Sequence, residues 1–219
     1  MMEKMLIDSR FLFQRLASKY KNQVEWEKGR ALFLSLEYRC QETAEHSVVV
    51  AFIAYHLAIQ IIGETQTGER MFLAGLLHDI GKLKIPDTIL KSDRIITGEE
   101  HKTIVDHVQS GYEALKKLDF GSDILQFCIT HHERLDGSGY PHGISEKSII
   151  GRIAPISDVY SALKLPRIYR PNSLSDENIL KYLIENNHQF EGDYIHELLK
   201  FLTNWSSNHN ISEKTFGIV

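Results

Sequence analysis

An all-α fold is predicted for this chain, and three observations carry the prediction. Apolar residues recur at helical spacing in one segment after another. No stretch alternates apolar and polar residues as a half-buried strand does. Helix boundary signals stand between the segments: Gly63 after a long apolar run, Pro86 soon after a glycine-lysine pair, and Thr97-Gly98-Glu99-Glu100 with the pattern of a capping box. There is no internal repeat and no low-complexity stretch.

Taken in order, residues 1–37 read as one or two amphipathic helices, an N-terminal appendage for packing or dimerisation. Leu6, Phe13, Leu16 and Tyr20 recur at helical spacing, and Trp26, Leu32 and Leu36 less regularly. A long helix is expected from Glu42 to Ile62, ending at Gly63, with residues 65–68 as a turn. The next helix, Glu69 to Leu77, ends on His78-Asp79. The capping box opens a helix from Gly98 to Leu118 that carries His101 and His107. Ser122 is expected to cap a helix ending on His131-His132-Glu133. Three glycines and a proline between Arg134 and Gly143 form a loop. A further helix starts at Ser148 and carries Asp158 among apolar residues. Ser175 to Asn187 and Tyr194 to Trp205 close the fold, and residues 206–219 read as a polar, loose tail.

Composition narrows the function. The 219 residues suffice for one sizeable core, and 42% hydrophobic with 25% charged residues is ordinary for a globular protein. A net charge of −4 offers no basic footprint, which argues against binding duplex nucleic acid. Cys40 and Cys128 make no disulfide framework and suit a reducing cytosol, so a cytoplasmic location is expected. The N-terminus lacks a signal-peptide pattern. The apolar run Val48 to Ile62, interrupted by His56 and Gln60, reads as a buried helix too short to cross a bilayer, so no membrane partner is expected. No GxGxxG or P-loop pattern points to a nucleotide cofactor.

Histidine is the one excess, eleven in all. Glu42 and His46 stand four apart, on one helical face. His78-Asp79 follows an apolar run, with Lys82 just past a turn glycine. Adjacent side chains on a helix point about 100° apart, so His131 and His132 suit two neighbouring ions better than one. Asp158 in apolar surroundings is costly unless it is paired or bound to a cation. Each pair alone is explained by ordinary capping or a surface contact. Together, Glu42, His46, His78, Asp79, His107, His131, His132 and Asp158 form a set of nitrogen and oxygen donors without thiolates. Such a set favours Fe or Mn over Zn, with Ni and Mg as further candidates. Eight ligands exceed the needs of one ion, so two or three divalent ions are implied.

The ordered motifs resemble those of the HD-GYP phosphodiesterases, a subgroup of the HD-domain metal hydrolases. They are His78-Asp79-Ile80-Gly81-Lys82, His107 with Gly111, His131-His132-Glu133, Asp136-Gly137-Ser138-Gly139-Tyr140-Pro141, Ser157-Asp158-Val159-Tyr160-Ser161-Ala162-Leu163 and Arg167-Ile168-Tyr169-Arg170. The resemblance covers residues 38–205. It implies an HD-domain helical bundle that hydrolyses cyclic di-GMP to linear pGpG or GMP. Carried over by position, His46, His78, Asp79, His107, His131, His132 and Asp158 are the metal ligands, with Asp79 bridging. Glu42 matches the extra ligand of members with three ions. Lys82 matches the lysine at the scissile phosphate, Arg167 and Arg170 the phosphate-binding positions, and Gly139 and Tyr140 the substrate loop. Val108, Ser157, Ser161 and Ile168 depart from the family pattern without removing a ligand.

The expected chemistry is hydrolysis by water that two ions activate, lowering its pKa from near 16 towards about 7. Asp79 and Lys82 are the catalytic residues, and Arg167 and Arg170 grip the second phosphate. The alternatives are an idle receptor for the dinucleotide, or an HD phosphohydrolase acting on another nucleotide, cyclic GMP-AMP among them. Residues 1–37 are too short for a receiver or sensor domain, so regulation is expected from a second copy or a signalling partner.

Overall fold

The computed structural model describes residues 2–92, 94, 96–166 and 172–215, with side chains as far as residue 207. Among the described residues the chain forms eleven α-helices, one 3-10 helix and no strand: the all-α class is the one the spacing predicts, and the 3-10 helix and one short helix are additions to it.

The helices α1 (Met2–Lys19) and α2 (Val24–Arg39) bury Met5, Leu12, Phe13 and Leu16, and Trp26, Phe33 and Leu36, at the three- and four-residue spacing of an amphipathic face. These residues belong to the same core as the rest of the domain. The segment expected as an appendage is therefore one wall of the bundle. The helix α3 (Gln41–Ile62) runs through the middle and ends at Gly63, whose φ of +83° is the left-handed C-cap that glycine adopts without a Cβ penalty. By length and composition α3 is long and apolar enough to cross a membrane, which the shorter run from Val48 did not suggest. Here 67% of its most apolar 18-residue stretch is buried, beneath α1 and α2 and three helices introduced below.

The helix α4 (Thr65–Leu77) starts earlier than expected. The Gly68 amide already donates to Glu64 O at 3.2 Å, so residues 65–68 are its first turn rather than a separate one. A 3-10 helix (Ile80–Lys84) and the short α5 (Asp87–Leu90) follow. The capping box is present at the start of α6 (Gly98–Val105): Thr97 Oγ1 accepts from the Glu100 amide, and the Glu100 carboxylate accepts from the Thr97 amide. The single helix expected over 98–118 is broken at Asp106, and α7 (His107–Lys117) begins on the ligand candidate itself. The break has a local cause. The Ile104 carbonyl near the end of α6 is taken by the His107 imidazole.

In α8 (Ser122–Thr130) the N-cap position is Gly121, not Ser122. Ser122 is the first helical residue, and the Gly121 amide is satisfied by Glu25 Oε1 at 2.8 Å. Ser148 and Ser175 do cap α9 (Ile149–Lys164) and α10 (Asp176–Glu185), accepting from Gly151 and Asn178 amides. The helix α11 (Gly192–Thr215) continues past Trp205, so the tail expected from 206 is helical to Thr215. The three other helices packed on α3 are α4, α9 and α11.

One close approach sets the distance between two parts of the site. A Cβ built on Gly81 would lie 1.9 Å from His107 O and 2.6 Å from Gly111 N. Only a residue without a side chain lets the 3-10 helix press against α7 here, which is the close contact anticipated for Gly111. Gly81→Ala must part the two elements. It is expected to cost at least about 3 kcal/mol and to lower Tm by ~6 °C or more. Gly98→Ala, where nothing lies within 4 Å, serves as the control and should leave Tm within ~2 °C of the parent. Thermal denaturation followed by circular dichroism checks both, and coincident melting of Gly81→Ala with the parent contradicts the account.

Candidate metal centre

Three of the histidines use one local device. His78 follows the last residue of α4, His131 follows the last residue of α8, and His107 follows the break after α6. Each ring sends Nδ1–H to the carbonyl three residues back: His78 to Gly75 O at 2.7 Å, His107 to Ile104 O at 2.5 Å and His131 to Cys128 O at 2.7 Å. Carbonyls in the last turn of a helix lack an intrahelical partner, so the imidazole satisfies one of them. A carbonyl only accepts. The proton is thereby fixed on Nδ1, and Nε2 is left to offer its lone pair. His46 lies inside α3 and takes its Nδ1 partner from another helix, Ser161 Oγ on α9 at 2.9 Å.

These nitrogens surround the buried carboxylate of Asp79. Its Oδ2 lies 3.4 Å from His78 Nε2, 3.8 Å from His46 Nε2 and 2.6 Å from Lys82 Nζ. Its Oδ1 lies 3.1 Å from His107 Nε2 and 3.9 Å from His131 Nε2. Asp158 spans the same space. Its Oδ1 is 2.9 Å from His46 Nε2 and 3.7 Å from His78 Nε2, and its Oδ2 is 3.4 Å from His132 Nδ1. Two compact donor groups result, His46–His78–Asp79 and His107–His131–His132, each with donor atoms within 4.8 Å of one another.

Seven of the eight candidate ligands are thus drawn together. Glu42 lines the same cavity of about 290 Å³, beside His46, Lys82, His107, His132, Tyr140 and Asp158, but stands outside the two compact groups. His101 is exposed and takes no part. Arg167 and Arg170 lie outside the described residues. The Tyr140 ring sits over His132 with centroids 4.5 Å apart, and its amide donates to His132 O at 3.1 Å. A Cβ on Gly139 would lie 2.3 Å from His132 O, so this loop can pass so close only with glycine there. The Tyr140–Pro141 peptide is cis.

Two residues had no role assigned from the sequence. Glu133 is buried and accepts from the His142 amide at 2.7 Å and the Ile144 amide at 3.0 Å, which ties the loop back beneath the histidines. Its place directly after His131-His132 was visible in the sequence, but nothing local shows which loop amides it meets. Ser161 was noted only as a departure from a family pattern.

The donor set fits a divalent cation on grounds internal to the structure. His78 Nε2 and Asp79 Oδ1 are buried without a hydrogen-bond partner. His107 Nε2 faces His131 Nε2 at 3.3 Å, although both rings already give away their Nδ1–H. Two lone pairs at that distance need a positive charge between or beside them. Burial pushes His132 down to about 3 and His131 well below the ordinary histidine range, with further lowering of His131 by neighbouring imidazoles, so a proton is disfavoured there. Burial opposes ionisation of Asp79 and Asp158, yet Lys82 and His78 for the first, and His132 and His46 for the second, hold both well below the usual carboxylate range. Carboxylate oxygens and imidazole nitrogens without thiolates suit borderline to hard divalent ions.

The family model described as the HD domain matches residues 1–193, and the chain belongs to the HD-domain family. Its kinship with the HD-GYP phosphodiesterases, read from the motifs, holds among curated relatives. A cyclic di-GMP phosphodiesterase of Thermotoga maritima is 35% identical over 170 residues, 73% of this chain and 45% of that protein. A 3'3'-cGAMP-specific phosphodiesterase of Vibrio cholerae is 34% identical over 151 residues, 67% of this chain and 35% of that protein. The chain thus spans less than half the length of these relatives. Among solved structures, an HDG"Y"P protein from Bdellovibrio bacteriovorus superposes with a TM-score of 0.60 over 92% of this chain and 70% of that one, at 15% identity. The PgpH HD domain of L. monocytogenes, in complex with cyclic-di-AMP, gives 0.59 over 86% and 98%, at 16% identity. The all-helical HD fold is the one shared.

The protonation pattern predicts how ion uptake responds to pH. Burial acts against charge on His78, but Asp79 and Asp158 outweigh it and hold its pKa up to about 9. A cation entering the His46–His78–Asp79 group must displace that proton at any pH below about 9, so its apparent affinity rises with pH. Titration with Mn²⁺ under anaerobic conditions at pH 6, 7 and 8 is expected to show about tenfold tighter binding per pH unit for this group. An affinity independent of pH over that range contradicts the assignment.

Proposed function

We propose that the chain is a metal-dependent phosphodiesterase that opens a 3′,3′-cyclic dinucleotide, cyclic di-GMP foremost, to linear pGpG and on to GMP. The observation that carries this reading is Asp79: one carboxylate with an oxygen turned to each of two histidine groups and the Lys82 ammonium 2.6 Å away. Cyclic di-GMP is the substrate in the printed name of the Thermotoga relative, and 3'3'-cGAMP in that of the Vibrio relative. The two ligands share a guanine nucleotide and the ring of two 3′,5′-phosphodiesters, and cyclic GMP-AMP is the second substrate to test.

Two ions would be held, one by His46, His78, Asp79 and Asp158, the other by His107, His131, His132 and the second oxygen of Asp79. Glu42, on the wall of the same cavity, would supply a ligand for a third. The nitrogen and oxygen donor set favours Fe or Mn. When bound, such ions act as Lewis acids towards phosphoryl oxygens and make water a usable nucleophile at neutral pH.

The residues of the chain do the rest. Asp79 and Asp158 neutralise and hold the positive charge in place. Lys82 is on the open side of Asp79, where its ammonium can take up charge that builds on a phosphoryl oxygen. Tyr140 and Gly139 form the lip over His132, and Arg167 and Arg170 would hold the second phosphate. In the balanced reaction water adds to phosphorus, the bond from phosphorus to the 3′-oxygen breaks, and that oxygen leaves with a proton. Free thiols at Cys40 and Cys128 support a reducing, cytoplasmic setting.

The test is an anaerobic preparation incubated with cyclic di-GMP and with 3'3'-cGAMP, with product analysis beside metal content. His131→Ala should lose the ion on its own side of Asp79 and turnover together. Lys82→Ala should keep its metal and lose about 10²- to 10³-fold in kcat. Tight dinucleotide binding without linear product would make the chain a receptor and sink the enzymatic reading. Loss of metal in Lys82→Ala would sink the role given to Lys82.

A further inference from the structure

His46 differs from the other imidazoles in what aims it. His78, His107 and His131 are oriented by carbonyls three residues back in their own stretch of chain. Their ring positions are set as soon as the local helix ends form. His46 lies in the second turn of α3, where the nearby carbonyls serve the helix itself. Its Nδ1 meets Ser161 Oγ, 115 residues away on α9, at 2.9 Å. The Ser161 hydroxyl hydrogen is engaged elsewhere, donating to His46 O at 3.2 Å. With that hydrogen on His46 O, the hydroxyl oxygen is free to accept from Nδ1–H, the tautomer a cation at Nε2 requires, and Nε2 lies 2.9 Å from Asp158 Oδ1. Both partners are fully or almost fully buried, His46 at 2% and Ser161 at 0% exposure, so water cannot replace the contact. Asp158 stands one turn before Ser161 on the same helix. A single helix thus supplies a carboxylate to the His46 side of the site and the hydroxyl that turns the His46 ring towards it.

We infer that Ser161 is a positioning residue for His46, and that it makes the ion on the His46–His78–Asp79–Asp158 side depend on the contact between His46 on α3 and Ser161 on α9, while the ion on the His107–His131–His132 side does not depend on that contact. This rests on the reading of the site as a metal centre. The consequence is an unequal pair. The ion on the His46 side is the exchangeable one, because two of its ligands are held in register by an interhelical contact rather than by local turns.

The experiment uses the full chain, prepared without metal in the absence of air and titrated with Mn²⁺ by calorimetry, with release to a chelator followed separately. The parent should bind two ions of unequal affinity. Ser161→Ala should weaken only the looser ion, by about 10- to 100-fold, and speed its release, with the tighter ion unchanged. Ser161→Thr keeps the hydroxyl and should retain both parental affinities. In the His131→Ala background, which keeps the His46-side donors, Ser161→Ala should weaken the remaining uptake by the same factor. Equal affinities in the parent and Ser161→Ala overturn the inference, as does equal weakening of both ions. A parent that takes up no Mn²⁺ fails the metal reading itself, an outcome distinct from a parent that binds two ions indifferently to Ser161.

Discussion

A carboxylate with almost no exposed surface, Asp79 at 1%, is the constraint from which the rest of the site follows. An ionised group that deep in a protein costs several kcal/mol after relaxation unless positive charge comes with it. One ammonium, Lys82, is 2.6 Å from one oxygen. The other oxygen faces imidazoles whose hydrogens point away from it. Cations resolve this arrangement on both sides of Asp79 at once. Without them the two histidine groups are left with mutually facing lone pairs and an unpartnered His78 nitrogen.

The fold meets this demand with modest means. Helices end where ligands are wanted, and the carbonyls those ends leave without partners become the outer support of the ligands. Backbone contact through Gly81 brings the start of α7 to the 3-10 helix, which places His107 beside Asp79. The central helix α3 lends His46, and α9 lends Asp158 together with the hydroxyl that aims His46. The buried Glu133 carboxylate holds the loop that sets Tyr140 on His132. Core packing and site geometry are thus the same set of contacts viewed from two sides.

Much of this is legible in the sequence. Helical spacing identified the helices, and Thr97, Glu100, Ser148, Ser175 and Gly63 marked boundaries through local chemistry that does not depend on the rest of the fold. The ligand candidates were readable because each sits in a short motif, and seven of eight converge. What was missed depends on distant partners. Ser122 has the side chain of a cap, but Glu25, far away in sequence, occupies the preceding amide. The break at Asp106 follows from a ring taking a carbonyl that a continuous helix would use. The tight contact of residues 2–37 with the core, the work of Glu133 and the aiming of His46 by Ser161 are products of packing between segments, which periodicity does not report. Glu42 shares a helical face with His46, as the spacing required, yet the same spacing does not decide whether it reaches the donor groups.

Anomalous diffraction from a crystal of the Mn²⁺-loaded chain addresses the central claim most directly. Two strong peaks are predicted, one on each side of the Asp79 carboxylate, with nitrogen and oxygen ligands from His46, His78 and Asp158 on one side and from His107, His131 and His132 on the other. Peaks confined to the protein surface, or a single ion that leaves one oxygen of Asp79 and its facing imidazoles without a cation, would contradict it.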